Sequence, residues 1–134
     1  MERLGAHAMP AGLHADWNDC LRMGAKGEST FVAFQLYYAM SVIKDMAAER
    51  NDIEYVSYIE KVQSELGASL EKCWDEDRFI RGIREDGVIV GAKNDPEASM
   101  WLNPQSWSVI SKFASNKQAE DALNSVHDIL NTHT

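Results

Sequence analysis

Residues 28–50 form the longest helix-favouring stretch of the chain and constrain its fold more than any other feature. Glu28 and Ser29 suit a first helical turn, and Ala, Met, Leu, Gln and Lys recur after them. Nonpolar side chains at helical spacing form two stripes, one of Phe31, Phe34, Tyr38 and Val42 and another of Val32, Leu36, Ala39, Ile43 and Met46. A helix that is nonpolar on nearly every side is buried between other elements. The sequence therefore predicts an inner helix of a larger helical assembly.

A second helical pattern begins directly after the first. Asn51 and Asp52 interrupt the run, and Asp52 is a suitable cap for the next helix. Nonpolar residues then recur on one side only: Ile53, Val56, Ile59, Val62, Leu66, Leu70 and Cys73. A buried inner helix followed by a half-exposed outer helix is the unit of an α/α toroid. The pattern predicts a mainly α fold class built from helical hairpins.

The periodicity changes in residues 78–90, where polar and nonpolar side chains alternate on both sides of the turn-forming residues 85–87. This pattern predicts one small β-hairpin. Three basic residues of the segment, Arg78, Arg81 and Arg84, are expected to line a solvated face of that hairpin.

The end of the chain returns to helical patterns. Residues 105–113 are predicted to form a helix capped by Asn103, and a last helix is predicted to begin after a cap at Asn116. Residues 1–15 are expected to form a loop, and residues 131–134 are expected to be frayed.

Composition excludes several classes of function. The 134 residues suffice for one domain, and the net charge of -8 argues against binding to nucleic acid or to an anionic membrane. Neither the pair Cys20 and Cys73 nor the loop residues His7 and His14 have metal-ligand spacing. No nonpolar run is long enough to span a bilayer. We expect a cytoplasmic protein with reduced thiols, and a Cys20–Cys73 disulfide in an oxidising compartment is the alternative.

The residues with the most chemistry are Asp16, Trp17, Asn18 and Asp19. An indole can stack on a pyranose, amides and carboxylates bind hydroxyl groups, and a carboxylic acid can protonate a glycosidic oxygen. These residue types together suit a sugar site. The alternative is an Asp that caps a helix next to a half-buried Trp.

Several separated segments carry a resemblance, and they follow one another in the same order as in a known family: residues 15–22, 24–29, 34–38, 73–75, 78–82 and 102–111. From about Leu4 to about Leu130 the chain closely resembles the disaccharide phosphorylases, and among them the cellobiose phosphorylases. Members of that family are several-fold longer and contain a β-sandwich and a complete (α/α)6 barrel. The resemblance implies that residues 1–134 are a single partial domain of such a barrel and that Met1 is not where the complete enzyme begins.

The resemblance implies inverting phosphorolysis of cellobiose to α-glucose 1-phosphate and glucose. Inorganic phosphate is the co-substrate, and no metal or organic cofactor is expected. Asp19 corresponds to the proton donor of the family. Because phosphate is itself the nucleophile, one protein carboxylate suffices, and Asp16 is expected to bind a hydroxyl group or to be structural. Trp17 is a candidate sugar platform or a core residue, and Asn18 binds a hydroxyl group or orients Asp19.

The phosphate site of the family is expected to lie outside this chain. In the family an Arg, a His and a Thr-Gly pair from other segments hold phosphate, and this sequence contains no Thr-Gly dipeptide. Arg22 and Lys26 are expected to be solvated or paired with acids such as Glu28. The isolated chain is therefore expected to be inactive. Gln105, Ser106 and Trp107 resemble a family motif, and Trp107 is expected in the core.

Three alternatives remain open at the level of sequence. The substrate can be another β-glucoside, such as a cellodextrin or laminaribiose, or it can be chitobiose. An inverting hydrolase on the same barrel would need a second carboxylate elsewhere. The chain can also be a non-catalytic helical interaction module, because the nonpolar helix needs to be covered by the rest of a barrel or by self-association.

Overall fold

This computed structural model describes residues 3–13 and 16–131 of the chain. They contain four helices and five short strands, joined by turns and loops. The helices are α1 (Thr30–Glu49), α2 (Ile53–Glu71), α3 (Leu102–Ile110) and α4 (Asn116–Leu130), and the strands are β1 (Glu28–Ser29), β2 (Trp74–Asp75), β3 (Arg78–Phe79), β4 (Gly82–Ile83) and β5 (Ile89–Val90). The predicted mainly α fold with a small β-hairpin is confirmed. His14, Ala15 and residues 132–134 of the predicted frayed segment 131–134 lie outside the described residues.

The first helical hairpin forms as predicted. Asp52 caps α2 by accepting a hydrogen bond from the Tyr55 backbone N–H at 3.1 Å, and Asn51 adopts a positive φ of 57° between the helices. The core between α1 and α2 contains Phe34, Met40, Ile59, Leu66 and Leu70. Burial of each such side chain stabilises the folded state by about 1.5–3 kcal/mol.

Helix α1 begins two residues later than predicted, at Thr30. Glu28 and Ser29 form strand β1, which pairs antiparallel with β4, and Ser29 caps the helix through its hydroxyl oxygen. One side of α1 packs on α2 and α3, whereas an exposed stripe contains Tyr38, Val42, Ile43 and Met46, the last of these 57% exposed. The helix is thus buried on one side within this chain, and its second nonpolar side is open.

The predicted hairpin is confirmed for β4 and β5, which pair antiparallel around a turn. Gly87 has a φ of 85°, which favours glycine, and its N–H donates to the Arg84 carbonyl at 2.9 Å. The assignment of Arg78 and Phe79 to the same hairpin is wrong. Strand β3 pairs instead with β2, which precedes it in the chain.

The prediction that three arginines line a solvated face is wrong for two of them. Arg78 is 3% exposed and Arg81 is 0% exposed, whereas Arg84 is exposed and pairs with Asp86 at 2.6 Å. A guanidinium can be buried when acceptors surround it. Arg78 donates to Asp77 and to the Ser99 carbonyl, each at 2.8 Å. The acceptors of Arg81 belong to the candidate site.

Helices α3 and α4 form with different caps from those predicted. Helix α3 begins at Leu102 after Trp101, so Asn103 lies inside the helix and does not cap it. Ser115, not Asn116, caps α4, because its hydroxyl oxygen and the Gln118 side chain form a reciprocal capping box. None of the helices in residues 3–13 and 16–131 is both long and nonpolar enough to cross a membrane.

Candidate active site

The motif residues form a turn that is closed by the side chains of Asp16 and Asn18. Asp16 Oδ1 accepts a hydrogen bond from the Asn18 backbone N–H at 3.0 Å, and Asn18 Oδ1 accepts one from the Cys20 N–H at 3.0 Å. The Leu21 N–H donates to the Asn18 carbonyl at 2.9 Å. Short polar side chains that bind backbone two residues ahead are typical of Asx turns. The turn leaves Asp19 exposed at its tip.

Asp16 is the buried carboxylate of the pair. Its side chain is 4% exposed and forms an ion pair with Arg81. Burial alone would raise the pKa of Asp16, but the hydrogen bond from the Asn18 N–H and the hydrogen bond and charge of Arg81 together lower it below its usual value of 3.8. Asp16 is therefore anionic near neutral pH, and its environment fits the structural role that the sequence left open.

Arg81 is the residue of the site that the sequence analysis missed. Its Nη1 donates to Ser29 Oγ at 2.7 Å, and its Nη2 donates to Asp16 Oδ1. The guanidinium carbon lies 5.7 Å from the ring centroid of Phe31 and 5.6 Å from that of Trp101, within the range of a cation–π contact. The available signal was its place in residues 78–82, one of the segments that carry the family resemblance.

Trp17 is 72% exposed and presents its indole at the surface. Its ring meets Phe31 edge-on with 6.4 Å between centroids, and Phe31 in turn meets Trp107 at 6.0 Å. Trp107 is half-buried and also contacts Tyr38 at 6.2 Å. The alternative of Trp17 as a core residue is wrong, since most of its surface is exposed. An exposed indole backed by aromatic rings suits stacking on a sugar.

Asp19 borders an open cleft of about 490 Å³. The cleft lies between the motif turn and the β4–β5 turn, and its lining is Asp19, Leu21, Arg22, Met23, Gly24, Arg84, Glu85 and Asp86. A second cleft of about 650 Å³ shares Leu21, Arg22 and Arg84 with the first and extends to Trp101. Charges of both signs surround the first cleft, so it suits a neutral polar molecule better than a strongly charged one.

The cations next to the motif are solvated, as predicted. Arg22 and Lys26 are exposed, and neither belongs to an ion pair within residues 3–13 and 16–131. The suggested partner Glu28 is instead buried and accepts hydrogen bonds from the His7 and Met9 N–H groups, each at 3.0 Å. The His7 ring is also hydrogen-bonded to Glu28, with 2.6 Å between His7 Nδ1 and Glu28 Oε2.

Gln105 and Ser106, two residues of the family-like motif, have structural roles. Gln105 is buried, and its side-chain amide binds both the N–H and the carbonyl of Phe79, each at 2.8 Å. The Ser106 hydroxyl donates to the Leu102 carbonyl of its own helix at 3.1 Å.

Across the described part of the chain, no group of three or more His, Cys, Asp or Glu side chains is arranged to hold a metal ion.

Comparison with known families decides the membership of the chain. The family described as "Glycosyl hydrolase 94 superfamily, catalytic domain" matches residues 1–134. The chain belongs to this superfamily. Membership in the glycosyl hydrolase 94 superfamily confirms the predicted resemblance at the level of the family.

Several curated relatives of this glycosyl hydrolase 94 chain are phosphorylases of different sugars. It is 32% identical over 135 residues to the N,N'-diacetylchitobiose phosphorylase of Vibrio furnissii, covering 96% of this chain and 16% of the relative. It is 31% identical over 121 residues to the cellobionic acid phosphorylase of Neurospora crassa, covering 87% and 15%. It is 30% identical over 140 residues to the solabiose phosphorylase of Paenibacillus borealis, covering 96% and 17%.

The chain thus spans about a sixth of the length of these curated relatives. Their names give three different substrates, so they do not select one for this chain. The described residues of the motif turn present an exposed carboxylate, which borders a cleft, and an exposed indole.

Proposed function

We propose that residues 1–134 are one partial domain of an enzyme that performs inverting phosphorolysis of a disaccharide, and that Asp19 is its proton donor. The observation that carries the proposal is the placement of Asp19. It lies exposed on a hydrogen-bonded turn, two residues after the exposed Trp17, and at the edge of a cleft of about 490 Å³. Family membership supports the reaction class.

Asp19 donates its proton to the glycosidic oxygen while a phosphate oxygen attacks the anomeric carbon from the opposite side of the sugar. The bond between the anomeric carbon and the leaving sugar breaks as the bond to phosphate forms, so the configuration inverts. Phosphate supplies the nucleophile, and one protein carboxylate is enough. The buried ion pair of Asp16 with Arg81 supports this division of roles between the two acids.

Trp17 is the proposed stacking platform for the sugar ring. The Asn18 side-chain oxygen is occupied by the Cys20 N–H, so its amide nitrogen is the part of the side chain suited to bind a hydroxyl group. Asp16 contributes to binding by fixing the turn that carries both residues. No metal or organic cofactor is part of the proposal, and phosphate binds to segments outside this chain. The isolated chain is accordingly proposed to be inactive.

Cellobiose is the proposed substrate, giving α-glucose 1-phosphate and glucose, and it rests on the resemblance of the motif residues. N,N'-diacetylchitobiose is the second candidate, because a phosphorylase of that disaccharide is 32% identical to this chain. The two substrates differ in the N-acetyl groups, which must be accommodated next to the platform or in the cleft.

The test uses an active enzyme that contains this chain. It is incubated with phosphate and, in turn, cellobiose, laminaribiose and N,N'-diacetylchitobiose, and sugar 1-phosphate is quantified and its anomeric form is read by NMR. We expect the highest kcat/KM for cellobiose and an α-phosphate product. A higher value for N,N'-diacetylchitobiose would transfer the assignment to that sugar, and release of free glucose without phosphate would contradict phosphorolysis.

A further inference from the structure

Arg81 joins the parts of the candidate site that come from distant positions in the chain. Its own backbone is fixed, because its N–H donates to the Val90 carbonyl at 2.8 Å and its carbonyl accepts from Thr30 Oγ1 at 3.0 Å. The side chain extends from this fixed point between Ser29 and Asp16 and is 0% exposed. A planar guanidinium with several donors is suited to hold such partners at defined angles.

A series of hydrogen bonds connects Arg81 to the turn that carries the candidate acid, Asp19. Arg81 binds Asp16 Oδ1, the same oxygen accepts from the Asn18 N–H, and the Asn18 side chain accepts from the Cys20 N–H. Asp19 lies between the last two of these residues. Its backbone position is therefore set by a sequence of hydrogen bonds that begins at Arg81.

Contacts through the Phe31 ring connect Arg81 to Trp17, the proposed sugar platform. The guanidinium lies over the Phe31 ring at 5.7 Å from its centroid, and the same ring forms a T-shaped pair with Trp17, with 6.4 Å between centroids. Because Trp17 has little other contact with the protein, the position of Phe31 limits the orientation of the indole. The acid and the platform thus share one support.

Stability alone is a weak reason to bury this charge. Replacement of a buried ion pair by packed nonpolar side chains is often neutral or stabilising, since desolvation of both charges offsets their attraction. Within the described residues, Arg81 Nε and Asp16 Oδ2 are buried without a hydrogen-bond partner, so the desolvation of this pair is not fully compensated.

We propose that Arg81 is a positioning residue for phosphorolysis, which holds the Asp19 turn and the Trp17 ring in the relative geometry that proton donation requires. This inference rests on the proposed function. A displacement near 1 Å at a reacting group can lower a rate by about 10²-fold. Lys at position 81 keeps the charge but lacks the planar fork, so Arg81→Lys is the informative change.

The experiment compares two donors in an active enzyme that contains this chain. Cellobiose needs protonation of its leaving sugar, whereas β-glucosyl fluoride departs without a protein acid. We expect Arg81→Lys to lower kcat by about 10²-fold on cellobiose and by much less on the fluoride. Asp19→Asn is the reference, because loss of the acid itself gives the same donor dependence more strongly.

Arg78→Lys is the matched control. Arg78 is also buried and ion-paired, but its partners Asp77 and Ser99 do not belong to the motif turn. We expect Arg78→Lys to change thermal stability without any donor dependence. If Arg81→Lys does not fold, Asp16→Asn weakens the same pair while keeping the acceptor oxygen for Asn18, and it is expected to show a smaller dependence in the same direction.

The outcomes separate the inference from the proposed function. Donor dependence in Arg81→Lys and in Asp19→Asn, with none in Arg78→Lys, supports the positioning role. If Asp19→Asn shows the dependence but Arg81→Lys lowers both donors equally or neither, Arg81 is merely structural and the inference is rejected alone. If Asp19→Asn shows no dependence, the acid assignment and the inference fall together.

Discussion

Asp16 shows how a single carboxyl depends on its surroundings. Burial opposes its ionisation, yet the Asn18 N–H and Arg81 favour the anion more, and the net effect is a pKa below 3.8. A lowered folded-state pKa means that the carboxylate stabilises the fold above its unfolded pKa, and that this contribution is lost as the pH falls through the folded-state pKa.

We therefore predict that the stability advantage of the wild-type chain over Asp16→Asn is present at neutral pH and shrinks as the pH falls below 3.8. Melting temperatures of both chains, measured from pH 7 to about pH 2, check this sign. Asp128→Asn controls for loss of an exposed carboxylate on α4. An advantage that grows with acid would contradict the ion pair as the stabilising state of Asp16.

The sequence indicated which motif residues are candidates for chemistry, but it did not indicate which distant residue fixes their positions. Asp16 to Asp19 form a local turn, and short polar side chains predict such a turn from adjacent residues alone. The partner of Asp16 is 65 residues away, and no local periodicity encodes that pairing. Arg81 was assigned to a solvated face for this reason.

Elements that depend on local patterns were predicted well, and those that depend on distant partners were not. Helices α1, α2 and α4 follow nonpolar periodicity, and each begins within two residues of its predicted first residue. Strand β3 contains two residues and is defined by its pairing with β2, which a single strand pattern does not specify. The predicted cap of α3 was wrong because Trp101 occupies the capping position and makes no side-chain hydrogen bond to the helix.

Gln105 fastens α3 to strand β3, and its loss is predicted to destabilise the chain. Gln105→Leu leaves the buried N–H and carbonyl of Phe79 without the partners they have at 2.8 Å. Unpaired buried groups each cost about 1–3 kcal/mol, so we expect a loss of roughly 2–4 kcal/mol in the free energy of unfolding.

Urea unfolding, followed by circular dichroism at one low protein concentration, measures this loss. Gln35→Leu, on the half-buried surface of α1, is the matched control and is expected to change the free energy of unfolding by less than about 0.5 kcal/mol. A wild-type midpoint for Gln105→Leu would show that Phe79 finds other partners.

At the scale of the whole molecule, the open side of the first helical hairpin predicts self-association of the isolated chain. Tyr38, Val42, Ile43 and Met46 of α1 are exposed together, and Ile53, Tyr55 and Tyr58 of α2 are exposed as well. Contiguous exposed nonpolar surface of this kind is normally covered in a stable protein.

We expect light scattering to give a mass above the 15.1 kDa of one chain, rising with concentration. The double change Ile43→Glu and Met46→Glu is expected to lower that mass toward one chain. Leu123→Glu, which adds a charge at an exposed nonpolar residue of α4, is the control and is expected to leave association unchanged. A compact monomer with cooperative melting in the unmodified chain would contradict the prediction.

The central claim is that Asp19 donates the proton, and the most direct measurement is kcat for Asp19→Asn on two donors in an active enzyme that contains this chain. General acid catalysis contributes about 10²- to 10⁴-fold, so we expect a loss of that size on cellobiose and a far smaller loss on β-glucosyl fluoride. Asp128→Asn is expected to retain wild-type rates on both. An equal loss on the two donors for Asp19→Asn would show that Asp19 is not the acid.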